Sequence, residues 1–146
     1  MTEELINKSK VCLADTFVMY MKAHAYHWNV VGKDFPQYHD FFGDLYEELH
    51  SAIDDLAEQI RTLGSFAPFS LARIAELSTI PEDHKVVSSM EMIDNLVYAN
   101  MKLINTLTET YELAEKEKAY AYSNFLQDRL TVHAKHGWML KSINNG

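Results

Sequence analysis

The stretch that most constrains the fold runs from His27 to Glu58 and reads HWNVVGKDFPQYHDFFGDLYEELHSAIDDLAE. His27 and His39 stand on either side of a short break, and Asp54 and Glu58 follow at helical spacing. Polar side chains on a helix that faces a core cost stability unless something pairs with them. A metal ion pairs with imidazoles and carboxylates together. The stretch therefore predicts two helices that carry a metal site.

The break itself, residues 30–34, predicts a tight turn. Asp34 is placed to N-cap the following helix, and Pro36 is tolerated in a first turn. We expect one helix to end near residue 30 and the next to begin near residue 35. Since a short connection makes two helices antiparallel neighbours, His27 and His39 should lie at the same height and face each other.

A helical wheel at about 100° per residue divides the second helix into three faces. One strip carries His39, Gly43, Glu47, His50, Asp54 and Glu58. The apolar face carries Phe42, Leu45, Tyr46, Leu49, Ile53, Leu56 and Ile60. The solvent side carries Asp44, Glu48, Ser51, Asp55 and Thr62. The strip borders the core face, which is where a second subunit would dock.

Distance along this helix separates the histidines from the acids. Asp54 lies about 22 Å beyond His39 at about 1.5 Å per residue, so one ion cannot contact both within one chain. Either the chain has two unrelated sites, or a two-fold partner brings its own Asp54 and Glu58 to His27 and His39. An isologous dimer would form such a site twice.

Three segments carry a close resemblance to the Dps family, the ferritin-like DNA-binding proteins from starved cells. The first is HAYHWNV from His24, continuing to DxxAExIRxLG from Asp54. The second, SLARIAELS at residues 70–78, resembles the family's short helix between its second and third long helices. The third, WMLKS from Trp138, matches the family's usual close. The resemblance covers essentially the whole chain.

The resemblance implies an all-α, ferritin-like four-helix bundle, with a short extra helix in the crossover between helices 2 and 3, as a single domain over residues 1–146. It implies a ferroxidase site made by His27 and His39 of one subunit and Asp54 and Glu58 of its two-fold mate. It further implies a homododecamer that oxidises Fe(II), with hydrogen peroxide as oxidant, stores ferric mineral and protects against hydroxyl radicals.

The residue pattern gives the same helices independently. Apolar periodicity predicts long helices over about residues 2–30 and 35–63, one after Ser88 and one over about 119–143, with a short helix over 70–77. Gly64 is a natural helix end, and Ser88 with Glu91 forms a capping-box pattern. We place one face of the third long helix in the core: Met90, Ile93, Val97, Met101, Ile104, Leu107 and Tyr111. The methionines are interpreted as core filler, and the lone Cys12 as a buried thiol.

Gly43 is a departure from the family, which usually has Asp or Glu four residues after the second histidine. Asp44 points about 100° away, and Glu47 lies one turn further, so both are kept as possible additional ligands. Weaker iron binding, a local distortion that brings in Asp44, or substitution by another group or water all stay open. Because Gly costs about 1 kcal/mol in a helix, close packing or room for a ligand should favour it.

Other candidate residues receive secondary roles. His24 is interpreted as a supporting residue, and Trp28 as packing beside the site with electron donation as an alternative. His133 and His136 are placed on the surface or at an interface. By resemblance, Asp128 is a candidate for an iron-entry pore at a three-fold axis.

The charge balance restricts the alternatives. With 21 acidic and 13 basic residues the net charge is −8, which argues against tail-driven DNA binding or binding to anionic lipid. A DNA-associating structural protein is one alternative function, and a metal-binding cage without fast oxidation, because of Gly43, is another. No apolar run approaches the ~20 residues of a membrane span, and the N-terminus lacks a signal-peptide pattern. We expect a cytoplasmic protein without a membrane partner.

Overall fold

A computed structural model of the protein describes residues 2–145, which form five helices and no strand. They are α1 (Glu3–Asn29), α2 (Phe35–Thr62), α3 (Leu71–Leu77), α4 (Ser89–Lys116) and α5 (Tyr120–Asn144). The first helix packs against α2, α3 and α4, and α4 packs against α5. The predicted all-α four-helix bundle, with a short helix between its second and third long helices, is confirmed.

The core is built from one apolar face of each long helix. Fully buried large side chains include Leu5, Met19, Phe42, Leu49, Leu56, Ile60, Ile93, Leu96, Leu103, Leu107 and Leu126. Each contributes about 1.5–3 kcal/mol by leaving water, so the long helices hold one another in register. The predicted buried thiol of Cys12 is also confirmed, and burial raises the pKa of that thiol to about 12.

Side-chain caps define the N-termini of three of the five helices. Ser70 accepts a hydrogen bond from the Arg73 backbone N–H, and Ser88 accepts one from Glu91, so both serve as N-caps. Asp34 takes the N-cap position of α2, but its side chain makes no capping bond. Gly64 follows α2 with φ +93°, a left-handed conformation that favours glycine.

The predicted core face of α4 is confirmed at Ile93 and Leu107, which are buried, but the rest of it is displaced by part of a turn. Met90 and Met101 are 42% and 48% exposed, whereas Met92 and Leu96 are buried. The buried side continues through small residues, Ala99, Thr106, Thr110 and Ala114. Because those small residues let α4 approach its neighbours, the larger side chains beside them face outward. Among the six methionines of residues 2–145, only Met19 and Met92 are buried. The interpretation of the methionines as core filler therefore holds for these two.

A buried carboxylate ties the crossover to the bundle. Asp15 on α1 accepts hydrogen bonds from the Ser78 hydroxyl, from the Thr79 backbone N–H and hydroxyl, and from the Thr106 hydroxyl on α4, all at 2.7–2.8 Å. Four donors satisfy a charge that would otherwise be costly to bury. The end of α3 is thereby fixed against α1 and α4.

None of the helices formed by residues 2–145 combines the length and apolar character needed to cross a membrane.

Candidate metal centre

The turn between α1 and α2 brings two histidines together. His27 lies in the last turn of α1 and His39 near the start of α2. Their rings stack with centroids 3.7 Å apart and planes 18° apart. The predicted proximity of the two imidazoles is confirmed, and both side chains are half-buried.

Reciprocal hydrogen bonds fix the orientation of both rings. The Nδ1 of His27 donates to the backbone carbonyl of His39 at 2.7 Å, and the Nδ1 of His39 donates to the carbonyl of His27 at 2.6 Å. A carbonyl oxygen can only accept, so each Nδ1 carries a proton, and in the neutral form of either ring the lone pair lies on Nε2. Metal-binding histidines are oriented in this way by a bond from their other nitrogen. The arrangement can offer two Nε2 atoms to an ion.

Gly43 lies directly against the first of these rings. A Cβ at position 43 would stand 3.2 Å from Cε1 and Nδ1 of His27. The close packing expected at this glycine is confirmed, and room for a ligand stays open as the other expected reason for it. Asp44 lines a groove between α2 and α5, and Glu47 is exposed on α2. Since α2 runs unbroken through this region, the structure shows no distortion that would bring Asp44 to His27.

The candidate acidic ligands occupy the other end of α2. Oxygens of Asp54, Asp55 and Glu58 lie within 4.8 Å of one another, and all three residues are exposed. A hydrogen bond with Asp54, together with its charge, raises the pKa of Glu58. The continuous helix keeps Asp54 about 22 Å from His39 along its axis. Helical spacing alone placed Asp55 on the solvent side and did not indicate its approach to the other two acids.

Aromatic side chains surround the histidine pair. The ring of His24 stacks on that of Tyr46 with centroids 3.8 Å apart, and its centroid lies 4.2 Å from that of Trp28. The ring centroids of Tyr46 and His27 are 5.2 Å apart. Burial, followed by the charges of His27 and a further histidine, lowers the pKa of His24. The ring of Trp28 lies against that of His24 and covers it from the outside. Because Trp28 is 57% exposed, it does not form part of a closed wall around the site.

A largely buried polar network between α2, α4 and α5 corrects the sequence-based placements of Glu48 and His133. Glu48 pairs with Arg129 and His136, so it does not lie on the solvent side. His133 is fully buried: its Nδ1 donates to the side-chain oxygen of Asn100, and its Nε2 accepts from Arg129. The side chain of His136 is only 12% exposed. The i, i+4 spacing of Arg129 and His133 was the available signal, because it places both on one helical face.

The network fixes the charge of its members. Burial would raise the pKa of Glu48, but hydrogen bonds from His136 and Arg129 lower it to about 2. Burial, together with the charge of Arg129, lowers the pKa of His133 well below its ordinary value. The network is thus a neutral imidazole beside an ion pair.

Comparison with known proteins assigns the family. The ferritin-like domain profile matches residues 10–145. General stress protein 20U of Bacillus subtilis (strain 168) is 33% identical over 146 residues, which cover 97% of this chain and 98% of that protein. The DNA protection during starvation protein of Brevibacillus brevis is 32% identical over 131 residues, covering 90% of this chain and 88% of that protein.

A solved structure agrees with this assignment. The DPS protein of Vibrio cholerae O1, described as a member of a broad superfamily of ferritin-like diiron-carboxylate proteins, superimposes with a TM-score of 0.92 at 29% identity. The superposition covers 96% of this chain and 88% of that one. The chain therefore belongs to the Dps family of ferritin-like proteins.

Proposed function

We propose that this chain is the subunit of an iron-oxidising and iron-storing cage. Family membership supports iron binding, storage and protection, since the Vibrio relative is described as a diiron-carboxylate protein. In this proposal the subunits form a homododecamer in the cytoplasm, Fe(II) is the substrate, and hydrogen peroxide is the oxidant. The product is a ferric mineral held inside the cage.

The proposed site lies between two subunits. His27 and His39 of one subunit bind iron together with Asp54 and Glu58 of the two-fold partner. The observation that carries this proposal is the reciprocal hydrogen bonding of His27 and His39, which directs both Nδ1 atoms to carbonyls and leaves both Nε2 atoms available. The length of α2 supports the partner's contribution, because the acids of the same chain are too far away.

The donor set suits the proposed chemistry. Imidazole nitrogen and carboxylate oxygen bind Fe(II) and leave coordination positions open for an oxidant. The partner's carboxylates add negative charge, which favours Fe(III) over Fe(II) and so promotes electron loss. Two Fe(II) ions give one electron each to peroxide, whose O–O bond breaks, and water then hydrolyses the ferric ions with release of protons.

Anaerobic addition of Fe(II) followed by peroxide tests the proposal, with ferric absorbance as the readout. We expect His27→Ala and Asp54→Ala each to slow the reaction by at least about 10–100-fold, the usual loss when a residue that supports a metal ligand is removed. His84→Ala removes an exposed histidine elsewhere and should leave the rate unchanged. The absence of ferric absorbance in the wild type, or unchanged rates in both site variants, would contradict the proposal.

Gly43 motivates a second candidate function. A cage that binds a metal ion but oxidises it slowly would follow from the loss of one carboxylate beside His27. In that case Fe(II) would bind in the anaerobic titration, with an affinity that falls in His27→Ala, but peroxide would produce little ferric absorbance.

A further inference from the structure

A continuous series of rings leads away from the histidine pair. The ring centroids of His27 and Tyr46 are 5.2 Å apart. The ring of Tyr46 stacks on that of His24 with centroids 3.8 Å apart and planes only 6° apart. Tyr20 lies 5.5 Å from His24 and 6.3 Å from Tyr46. Each step joins rings close to contact, and short steps through stacked aromatic rings favour electron transfer.

The series ends in a tyrosine paired with a base. The hydroxyl of Tyr20 lies 2.9 Å from Nδ1 of His24, within hydrogen-bonding distance. A neutral imidazole can accept the phenolic proton at this nitrogen. Oxidised tyrosine is a strong acid, so it forms far more readily when its proton has an acceptor already in place.

We propose that Tyr20 is an electron donor to the candidate metal centre, and that His24 accepts its proton. The ring series connects the donor to His27, and the hydrogen bond supplies the proton acceptor. Both residues are half-buried, which shields the oxidised phenol from bulk solvent.

This role rests on the proposed iron oxidation, and it operates when one Fe(II) ion occupies the site. Peroxide breaks its O–O bond by taking two electrons, but one Fe(II) gives only one. Tyr20 gives the second electron through the rings, its O–H bond breaks, and the proton moves to Nδ1 of His24. The products are Fe(III), two hydroxide ions, a Tyr20 phenoxyl radical and protonated His24, so no hydroxyl radical is released.

A second Fe(II) ion completes the cycle. It gives one electron to the phenoxyl radical, Tyr20 recovers its proton from His24, and the ion becomes Fe(III). The pair thus allows two Fe(II) ions to react in sequence with one peroxide. Such a device suits a site where Gly43 provides no carboxylate beside His27.

The neighbouring aromatic residues lack the paired base. Among the hydrogen bonds formed by residues 2–145, the Tyr46 hydroxyl has no partner, so its oxidation would release a proton without an acceptor in place. Trp28 is 57% exposed, and its oxidised ring would lose its proton to water. Tyr20 is the member of the series whose proton stays within the protein.

An experiment without iron tests the pair directly. A photochemically generated ruthenium(III) polypyridyl oxidant is applied to the assembled wild-type protein, and radicals are recorded by high-field electron paramagnetic resonance. We expect a neutral phenoxyl radical with the g-values of a hydrogen-bonded tyrosyl. Tyr20→Phe should lose that signal, and His24→Gln should reduce it, because an amide can accept the hydrogen bond but not the proton.

The matched control for this experiment is Tyr98→Phe, the same change at a tyrosine that is 47% exposed on α4. It should leave the hydrogen-bonded tyrosyl signal unchanged. The proposal is overturned if Tyr20→Phe keeps the full wild-type signal, or if the wild type forms only a tryptophan radical.

A second experiment adds one Fe(II) per site and then peroxide, with a spin trap for hydroxyl radical. Tyr20→Phe should bind Fe(II) as the wild type does but release more trapped hydroxyl radical. If the two proteins release equal amounts of trapped hydroxyl radical and both show ferric absorbance, the proposed role of Tyr20 is overturned but the proposed iron oxidation is not. No ferric absorbance in the wild type overturns the proposed iron oxidation, and the iron-free experiment then still decides whether Tyr20 and His24 form a redox pair.

Discussion

Gly43 sets how much negative charge lies beside the imidazoles. A side chain at this position starts 3.2 Å from the His27 ring, so the ring must shift by a few tenths of an ångström to accept one. We expect Gly43→Asp to bind Fe(II) about tenfold more tightly than Gly43→Ala, equivalent to about 1.4 kcal/mol from one added carboxylate. Anaerobic Fe(II) titration measures the difference.

Gly43→Ala is the control for this comparison, because it makes the same contact with His27 but adds no charge. If the two variants bind Fe(II) equally, the carboxylate does not reach the ion, and position 43 acts through packing alone.

His133 makes the stability of the fold depend on pH. It stays neutral in the folded chain, whereas in the unfolded chain it takes up a proton below its ordinary pKa of 6.5. The unfolded state then binds more protons, so the free energy of unfolding falls as pH drops below about 6.5. We expect urea unfolding to give a value about 2 kcal/mol lower at about pH 5 than at about pH 7.5.

His133→Asn should remove most of that difference, and His84→Asn, at an exposed histidine, should keep it. Protein concentration must be held constant because assembly also stabilises the folded chain. Glu48 acts at lower pH: its pKa of about 2 lies below the ordinary 4.5, so its stabilisation is lost as pH falls from 4.5 towards 2. An equal pH dependence in His133→Asn and wild type would contradict the role of His133.

These two histidine sites differ in how far the sequence predicts them. His27 and His39 lie on opposite sides of a short turn, so local geometry brings them together. His133 and Asn100 lie on different helices, and their pairing depends on the rotation of α4 and α5 about their axes. Apolar periodicity fixes that rotation only coarsely.

At the scale of helices, the Asp15 hydrogen bonds fix the crossover. Asp15→Asn replaces one acceptor oxygen by an NH₂ group that faces donors, so at least one hydroxyl or N–H loses its partner in a buried site. We expect a loss of about 2–3 kcal/mol in the free energy of unfolding. Urea denaturation measures it, with the exposed Asp94→Asn as control, and a loss no larger than in that control would refute the assignment.

The helices themselves were predictable, but one of their faces was not. Helix bounds depend on local signals, such as Ser88 before α4 and Gly64 after α2, and these lie within two residues of the observed ends. The core face of α4 depends instead on which side meets its neighbours. Since Met90 and Met101 are as apolar as Met92 and Leu96, hydrophobicity alone could not choose between the two faces.

At the scale of the whole molecule, the net charge of −8 per chain bears on DNA binding. Binding through phosphates requires clustered positive charge, and the acidic excess opposes it. We expect no retardation of duplex DNA in a gel-shift experiment at low salt without divalent cations. Clear retardation under these conditions would contradict the expectation that the chain does not bind DNA, and it would favour the DNA-associating function.

The assembly provides the sharpest test of an inter-subunit site. His27→Ala chains and Asp54→Ala chains are each expected to oxidise iron poorly, because every site in either protein lacks one side. In a mixed two-fold dimer, one site joins intact histidines from the Asp54→Ala chain to intact acids from the His27→Ala chain. The other site of the same dimer carries both substitutions, so it lacks His27 as well as Asp54. Random co-assembly therefore places an intact donor set at about a quarter of all sites.

We expect unfolding and reassembling the two variants together to restore about a quarter of the wild-type rate of ferric absorbance. Mixing them without unfolding is the control, because no mixed dimer forms as long as the subunits stay in their original assemblies. If histidines and acids acted at unrelated sites within single chains, no new combination would form on mixing, and the rate would stay at the average of the two variants. Recovery thus tests the proposal that the histidine end and the acid end of α2, about 22 Å apart along one helix, each meet the opposite end of a neighbouring chain.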